Sequence, residues 1–386
     1  VTASAPRPPR ILVSGLRSTG KSSLVAALWG DSELLPTAVR DCTQTNTLVR
    51  APAAGEADRR IVLRYLDREA ALDYASRDLA YHRLEEVVRE AAGLLGTRLD
   101  ELSAGDRVRW AAATVRRLFA ERPGVHVLHE PAMDHVEKLE QFLAFIDSGD
   151  YRPGGAVEAP WETRHEHLMG RLRADGRTLD AGRLLALSLV ELVRRTERWG
   201  GSPPELVDSP WIPTFHNARR ADLILRESAH ADVLVIVALP EPFALEPWVE
   251  EAFRRRPELL RRTVLVFNQV DTVDLSALWS RSGFAEAWRS SVEALVRLGL
   301  APENVGLCAA ARLPFLEGLE GRTASDDHEA DRRSRLDKLR SVLAKIRRSL
   351  DGRAAGDFTT KLAAACDPAD AGVETLRKRL VALAGA

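Results

Sequence analysis

Hydrophobic and polar positions follow two periods along this chain, and the changes between them divide it. Short β-prone runs occupy residues 11–13, 46–50, 61–65, 263–267 and 304–308, each bounded by glycine, proline, asparagine or a charged cluster. Helical spacing takes over elsewhere. Residues 23–29 read as a helix directly after the first run. Leu84, Val87, Val88, Ala91 and Leu95 form one stripe, and Val136, Leu139, Phe142, Leu143 and Ile146 form a second. Leu185, Leu189, Leu192, Val193 and Thr196 fit a third, and Ser103 or Asp106 caps a further helix reaching Arg117. Residues 67–201 therefore predict an inserted antiparallel helical subdomain, because each stripe must be buried against another. A second helical excursion is predicted over 315–368, and a closing helix over 369–386.

Length adds that 386 residues exceed one small module, so a large elaborated domain or two units is expected. With 45% apolar and 29% charged residues the chain has the composition of a soluble folded protein. Its 55 basic and 56 acidic side chains nearly cancel, and the basic residues lack aromatic interleaving, so no nucleic-acid partner is expected. The longest apolar run, residues 233–240, is far short of the roughly 20 residues of a spanning helix. Residues 1–10 have no secretory apolar segment, and a cytoplasmic location is expected. Cys42, Cys308 and Cys366 are scattered, odd in number and without C-x-x-C spacing, which indicates neither a disulfide framework nor a cysteine zinc site. The histidines at 126, 129, 135, 165 and 167 complete no known ligand spacing and are read as surface or packing residues.

The first run leads into G-L-R-S-T-G-K-S from Gly15 to Ser22, which is G-x-x-x-x-G-K-[ST] in strand, loop and helix context. Glycines at 15 and 20 let the amides of Arg17, Ser18, Thr19, Gly20, Lys21, Ser22 and Ser23 turn toward phosphate oxygens. Lys21 adds a point charge, and Ser22 supplies an oxygen for Mg2+. A nucleoside-triphosphate site is predicted. Downstream, the run at 263–267 ends in Asn268, Gln269, Val270 and Asp271, resembling the [NT]-K-x-D element of GTPases with glutamine where lysine is usual. Asp271 in that role accepts two hydrogen bonds from guanine, donors that adenine does not present. The reading leans to GTP, with an ATPase of the wider P-loop class left open. Asp208, Ser209, Pro210 and Trp211 resemble D-x-P-G, with Asp208 holding magnesium through water and Trp211 in place of the glycine that normally meets the γ-phosphate.

Leu35, Pro36 and Thr37, then Thr43, then the runs at 46–50 and 61–65, make the chain similar to the dynamin-like large GTPases, especially the bacterial ones. The resemblance covers roughly residues 10–66, 203–312 and 369–386. It implies an α/β P-loop GTPase domain with a mostly parallel sheet, one antiparallel strand pair, and helices on both faces. It implies that Thr43 is the switch threonine on magnesium, with Thr45 as the fallback. By the same likeness Ser18 and Lys21 stabilise charge between the β- and γ-phosphates, with Arg17 as a further candidate. Ala309 and Ala310, after Cys308, match the [ST]-A-K element that touches the base. The implied activity is GTP hydrolysis to GDP, activated by homodimerisation across the nucleotide face. The alternative is a nucleotide-binding scaffold with little turnover, recruiting a protein partner through the helical insertion. The basic helix of the 315–368 excursion suits an anionic membrane surface or an acidic partner, although packing on the domain accounts for it as well.

Overall fold

The computed structural model of the chain describes residues 7–15, 18–35, 45–78, 84–121, 126–169, 181–210, 218–239, 247–269, 299–301, 304–308 and 372–385. In chain order the elements are β1 (Arg10–Gly15), α1 (Lys21–Trp29), β2 (Asn46–Arg50), β3 (Arg60–Tyr65), α2 (Arg68–Asp78), α3 (Leu84–Leu95), α4 (Ala104–Glu121) and α5 (His126–Ile146). They continue as β4 (Ala156–Ala159), α6 (Arg164–Met169), α7 (Ala181–Leu185), β5 (Leu187–Val193), β6 (Glu205–Asp208), α8 (Ala218–Ser228) and β7 (Val233–Ala238). The last are α9 (Pro247–Arg255), α10 (Pro257–Arg261), β8 (Thr263–Phe267), β9 (Val305–Leu307) and α11 (Val373–Ala384). The predicted excursion at 315–368 lies outside the described residues.

Nine strands form one sheet in the order β4-β3-β5-β2-β6-β1-β7-β8-β9. The half from β6 to β9 is parallel. Strands β1, β7 and β8 are almost wholly buried on both faces, which is why they read as continuous Val/Ile/Leu runs rather than alternating ones. Helices α1 and α11 pack on each other and on β1. Asn46 meets α8, whereas its neighbour Thr47 shares the opposite face with Asp208. Because successive strand residues face opposite ways, α8 covers the side away from α1. The predicted mixed α/β domain with a mostly parallel sheet and helices on both faces is what the structure shows.

Two expectations are corrected. The segment 185–196, whose apolar spacing fits a helix, is the strand β5, and it lies between β2 and β3, so these two do not pair. β5 runs parallel to β2 and antiparallel to β3. A short apolar run carries both periods, and the choice is made by partners from elsewhere in the chain. Here those partners include two arginines. Glu191 is 2% exposed, and Arg50 of β2 and Arg64 of β3 bond its two carboxylate oxygens at 2.5 and 2.7 Å. A buried carboxylate needs such pairing, and only the strand conformation delivers it. β4 likewise adds an edge strand antiparallel to β3.

The helical reading of the earlier part of the insertion holds. Val88, Ala91, Val136, Leu139, Phe142 and Ile146 are buried, and α4 packs against α2, α3 and α5. Ser103 accepts from the Asp106 amide at 3.1 Å and opens α4 as the capping pattern predicts. The bundle is anchored to the sheet through an aromatic triad. Tyr65 of β3, Phe145 of α5 and Tyr151 have ring centroids 5.5 to 5.8 Å apart, and the Tyr151 hydroxyl donates to Leu66 O. Among the described residues no helix is long and apolar enough to cross a membrane.

Candidate functional site

The loop between β1 and α1 opens at the C-terminal end of a central parallel strand, where open α/β sheets bind their ligands. Its two glycines are demanded by close approach. Gly15 has φ +150°, and a Cβ there would lie 2.0 Å from Val237 O. Gly20 has φ +80°, and a Cβ would lie 2.5 Å from Asn268 Nδ2. Gly20 is also the N-cap of α1 and carries no side chain to occupy the first amides of that helix. Ser18 takes φ +56° without being glycine, which turns the chain over the helix end at a modest local cost.

Lys21 is 7% exposed and folds back so that Nζ donates to Gly15 O at 3.0 Å. Its ammonium therefore sits across the mouth of the loop rather than in solvent. Ser22 Oγ donates to Asp208 Oδ2 at 2.6 Å, joining the start of α1 to the end of β6. Thr19 is fully buried, Ser18 is exposed and Ser23 is half-buried. From β8 two amide side chains reach over to the loop. Asn268 Nδ2 donates to Thr19 O at 2.9 Å and to Gly20 O at 3.4 Å, and Gln269 Nε2 donates to Ser18 O at 2.6 Å. Gln269 adopts φ +60° to do so. Thus Gly15, Ser18, Thr19, Gly20, Lys21, Ser22, Asp208, Asn268 and Gln269 converge. Arg17, Thr43, Trp211, Asp271, Ala309 and Ala310 lie outside the described residues.

Thr45 is buried, with Oγ1 3.4 Å from Leu187 O and Ser188 O, so it serves the start of β5. Cys308 is buried and caps the β9 end, its amide donating to Phe267 O and its thiol lying 3.5 Å from Gly372 O. Thr47 was not singled out by the sequence. Register pairs it with Asp208, and its buried hydroxyl has no hydrogen-bond partner among the described residues; the neighbouring Ser209 hydroxyl is in the same condition. Both follow from strand register, which no local motif announces.

Ser22 and Asp208, with Thr47 in register beside Asp208, offer hydroxyl and carboxylate oxygens, the donor chemistry of magnesium rather than of a softer metal. Those residues fit such an ion. Among the described residues no group of three or more histidine, cysteine or acidic side chains could hold a metal. His167 meets Thr163 Oγ1 at 3.1 Å instead.

No protein-family model and no curated protein matches this chain. Two solved structures of an oligomerised bacterial dynamin pair, described as a mechanism for long-range sensing and tethering of membranes, are similar at 12% identity. Their TM-scores are 0.42 and 0.41, each over 90% of this chain. The chain spans 43% and 42% of the length of those two proteins.

Proposed function

We propose that the chain binds a guanine nucleoside triphosphate with magnesium at the β1–α1 loop and hydrolyses it. The observation that carries this reading is the buried Lys21 ammonium lying over the loop, with Ser22 and Asp208 in contact beside it. Phosphate oxygens entering the loop replace Gly15 O as the lysine's partner and accept from the amides at the start of α1. Magnesium would be held by Ser22, by Thr43 from the segment before β2, and by Asp208 through water, with the Thr47 hydroxyl in register beside Asp208. Such an ion would supply positive charge to offset that of the outer phosphates. Asn268 and Gln269 keep the loop shaped by holding its carbonyls outward, so that its amides face the ligand. Asp271 reads the guanine edge. Ser18 and Lys21 stabilise the charge that develops as the terminal phosphoryl leaves, with a second copy of the chain across the nucleotide face completing the site.

The test is a titration with fluorescent GTP and fluorescent ATP of the wild-type protein beside Lys21→Ala. GTP is expected to bind more tightly than ATP, and the variant to lose most of the affinity. Equal affinity of wild type and variant overturns the reading. Dimer activation is checked by turnover against protein concentration, where a rate per chain that stays flat removes it.

A second reading, a GTP-dependent scaffold without useful turnover, is favoured by one observation: Gln269 spends its amide on Ser18 O where the resembled family carries a cationic lysine. A single-turnover assay separates the two, since GDP forming no faster than in buffer selects the scaffold.

A further inference from the structure

On the face of the sheet away from α1, a cavity of about 490 Å³ lies between the strands and α8. Its walls are fixed. Leu223 and Ile224 of α8 are buried in the core, Glu227 of α8 pairs with Arg10 of β1 at 3.3 Å, and Asn46 Nδ2 donates to Leu223 O at 3.0 Å. At water's liquid share of ~30 Å³ per molecule the space would take about sixteen waters, so neither one ordered water nor one ion fills it. Small-molecule sites are commonly of this size.

Charge on the lining does not balance, because four arginines and three glutamates face the cavity. Glu205 and Glu227 share Arg10, at 2.7 and 3.3 Å, and Glu191 is shared by Arg50 and Arg64, at 2.5 and 2.7 Å. Arg226 of α8 is the arginine left over. It meets no carboxylate among the described residues, and its guanidinium lies 5.4 Å from the ring centroid of Tyr74. A guanidinium against a ring face keeps its N–H edges for acceptors. Arg64 spends Nε and one terminal nitrogen on Glu191, and its other terminal nitrogen has no acceptor among the described residues.

Asn46 brings the opposite chemistry. It is 1% exposed and lines the cavity, and its Oδ1 has no hydrogen-bond partner among the described residues. Because Nδ2 is committed to Leu223 O, the other end of the amide must be the acceptor, and a buried acceptor favours a ligand that brings it a donor. Leu48, Leu189 and Leu223 add apolar surface to the walls.

We propose that this cavity binds a small organic anion, a phosphate ester or a carboxylate, whose acid group meets Arg226 and the open nitrogen of Arg64 and whose body carries an N–H or O–H for Asn46 Oδ1. The site is on the other face of the sheet from the β1–α1 loop and does not rest on the nucleotide reading. Arg226 selects for negative charge. Asn46 and the leucines select for a body behind it, which a bare inorganic anion lacks.

Calorimetric titration of the full chain at low salt with ribose 5-phosphate, AMP, glutamate and citrate, beside inorganic phosphate, tests the site. At least one organic probe is expected to bind with Kd below about 1 mM and about tenfold or more tighter than inorganic phosphate. Whether the esters or the carboxylates bind names the source of the acid group. Arg226→Ala, at an exposed side chain, is expected to weaken that probe about fivefold or more, whereas Lys21→Ala leaves it within about twofold. Leu189→Trp, which fills the cavity from the sheet, should abolish binding; should that variant fail to fold, the Arg226 arm decides alone. No organic probe binding below about 1 mM overturns the proposal, as does undiminished binding to Arg226→Ala. An organic probe no tighter than inorganic phosphate means an adventitious ion only and overturns it too. Loss of the probe in Lys21→Ala assigns it to the β1–α1 loop and overturns the separate site.

Discussion

Gly20 and Asn268 are far apart in sequence and tightly coupled in space, and substituting them singly and together measures that coupling. Gly20→Ala places a residue with a Cβ at φ +80°, which costs about 1–2 kcal/mol by itself. The new Cβ also lies 2.5 Å from Asn268 Nδ2, which must move. Asn268 is fully buried, and moving it breaks the bond to Thr19 O, a further ~1–3 kcal/mol for an orphaned buried group. The single variant is therefore expected to lose about 2–5 kcal/mol. With Asn268→Ala already in place the clash is gone, and the glycine substitution should then cost only the backbone strain of about 1–2 kcal/mol. Urea unfolding of nucleotide-free protein, followed by tryptophan fluorescence, gives all four stabilities. The double variant should be more stable than the sum of the single losses by about 1–3 kcal/mol, and additivity within about 0.5 kcal/mol would refute the contact.

Three further outcomes are expected. Glu191→Gln leaves Arg50 and Arg64 without their shared counter-charge, and urea unfolding should show a loss of about 1–3 kcal/mol; an unchanged midpoint would contradict the pairing. The hydrogen bond from Arg50 pulls the Glu56 carboxyl down to about 2, so its contribution is fully present above the ordinary carboxylate range and fades as pH falls from about 4.5 toward 2. Wild type and Glu56→Gln should accordingly differ in thermal stability at pH 6 and converge by about pH 2, whereas a gap that widens on acidification reverses the sign. Gln269→Lys keeps a donor for Ser18 O and adds a cation beside the loop, and should tighten fluorescent GTP binding by up to about tenfold, or ~1.4 kcal/mol; weaker binding would show that the glutamine is preferred here.

How far the site could be read from the sequence depended on how local each part is. The loop from Gly15 to Ser22 is contiguous, and its strand and helix flank it directly, so pattern and context coincide. Asn268 was legible because it closes a strand-length apolar run. Thr47 and Asn46 were not, since one depends on its register against Asp208 and the other on a carbonyl of α8. The helical spacing of residues 185–196 misleads for the same reason. The two strands covering β5, and the arginines that make Glu191 tolerable in the interior, come from residues 46–65. The bundle was legible in α3 to α5 because repeated apolar positions at helical spacing carry their own evidence of burial.

The course of β3 and β5 sets what kind of object the helical lobe is. These strands lie side by side, and the Leu66 amide donates to Ala186 O at 2.9 Å just where the chain departs and returns. Topologically the lobe is therefore an overgrown hairpin loop, with entry and exit a single peptide bond's reach apart. Trimming at 66 and 186 and closing with a tight turn would spare both strands and remove only the edge strand β4 from the sheet, whereas a cut carried to 201 would pull out the interior strand β5.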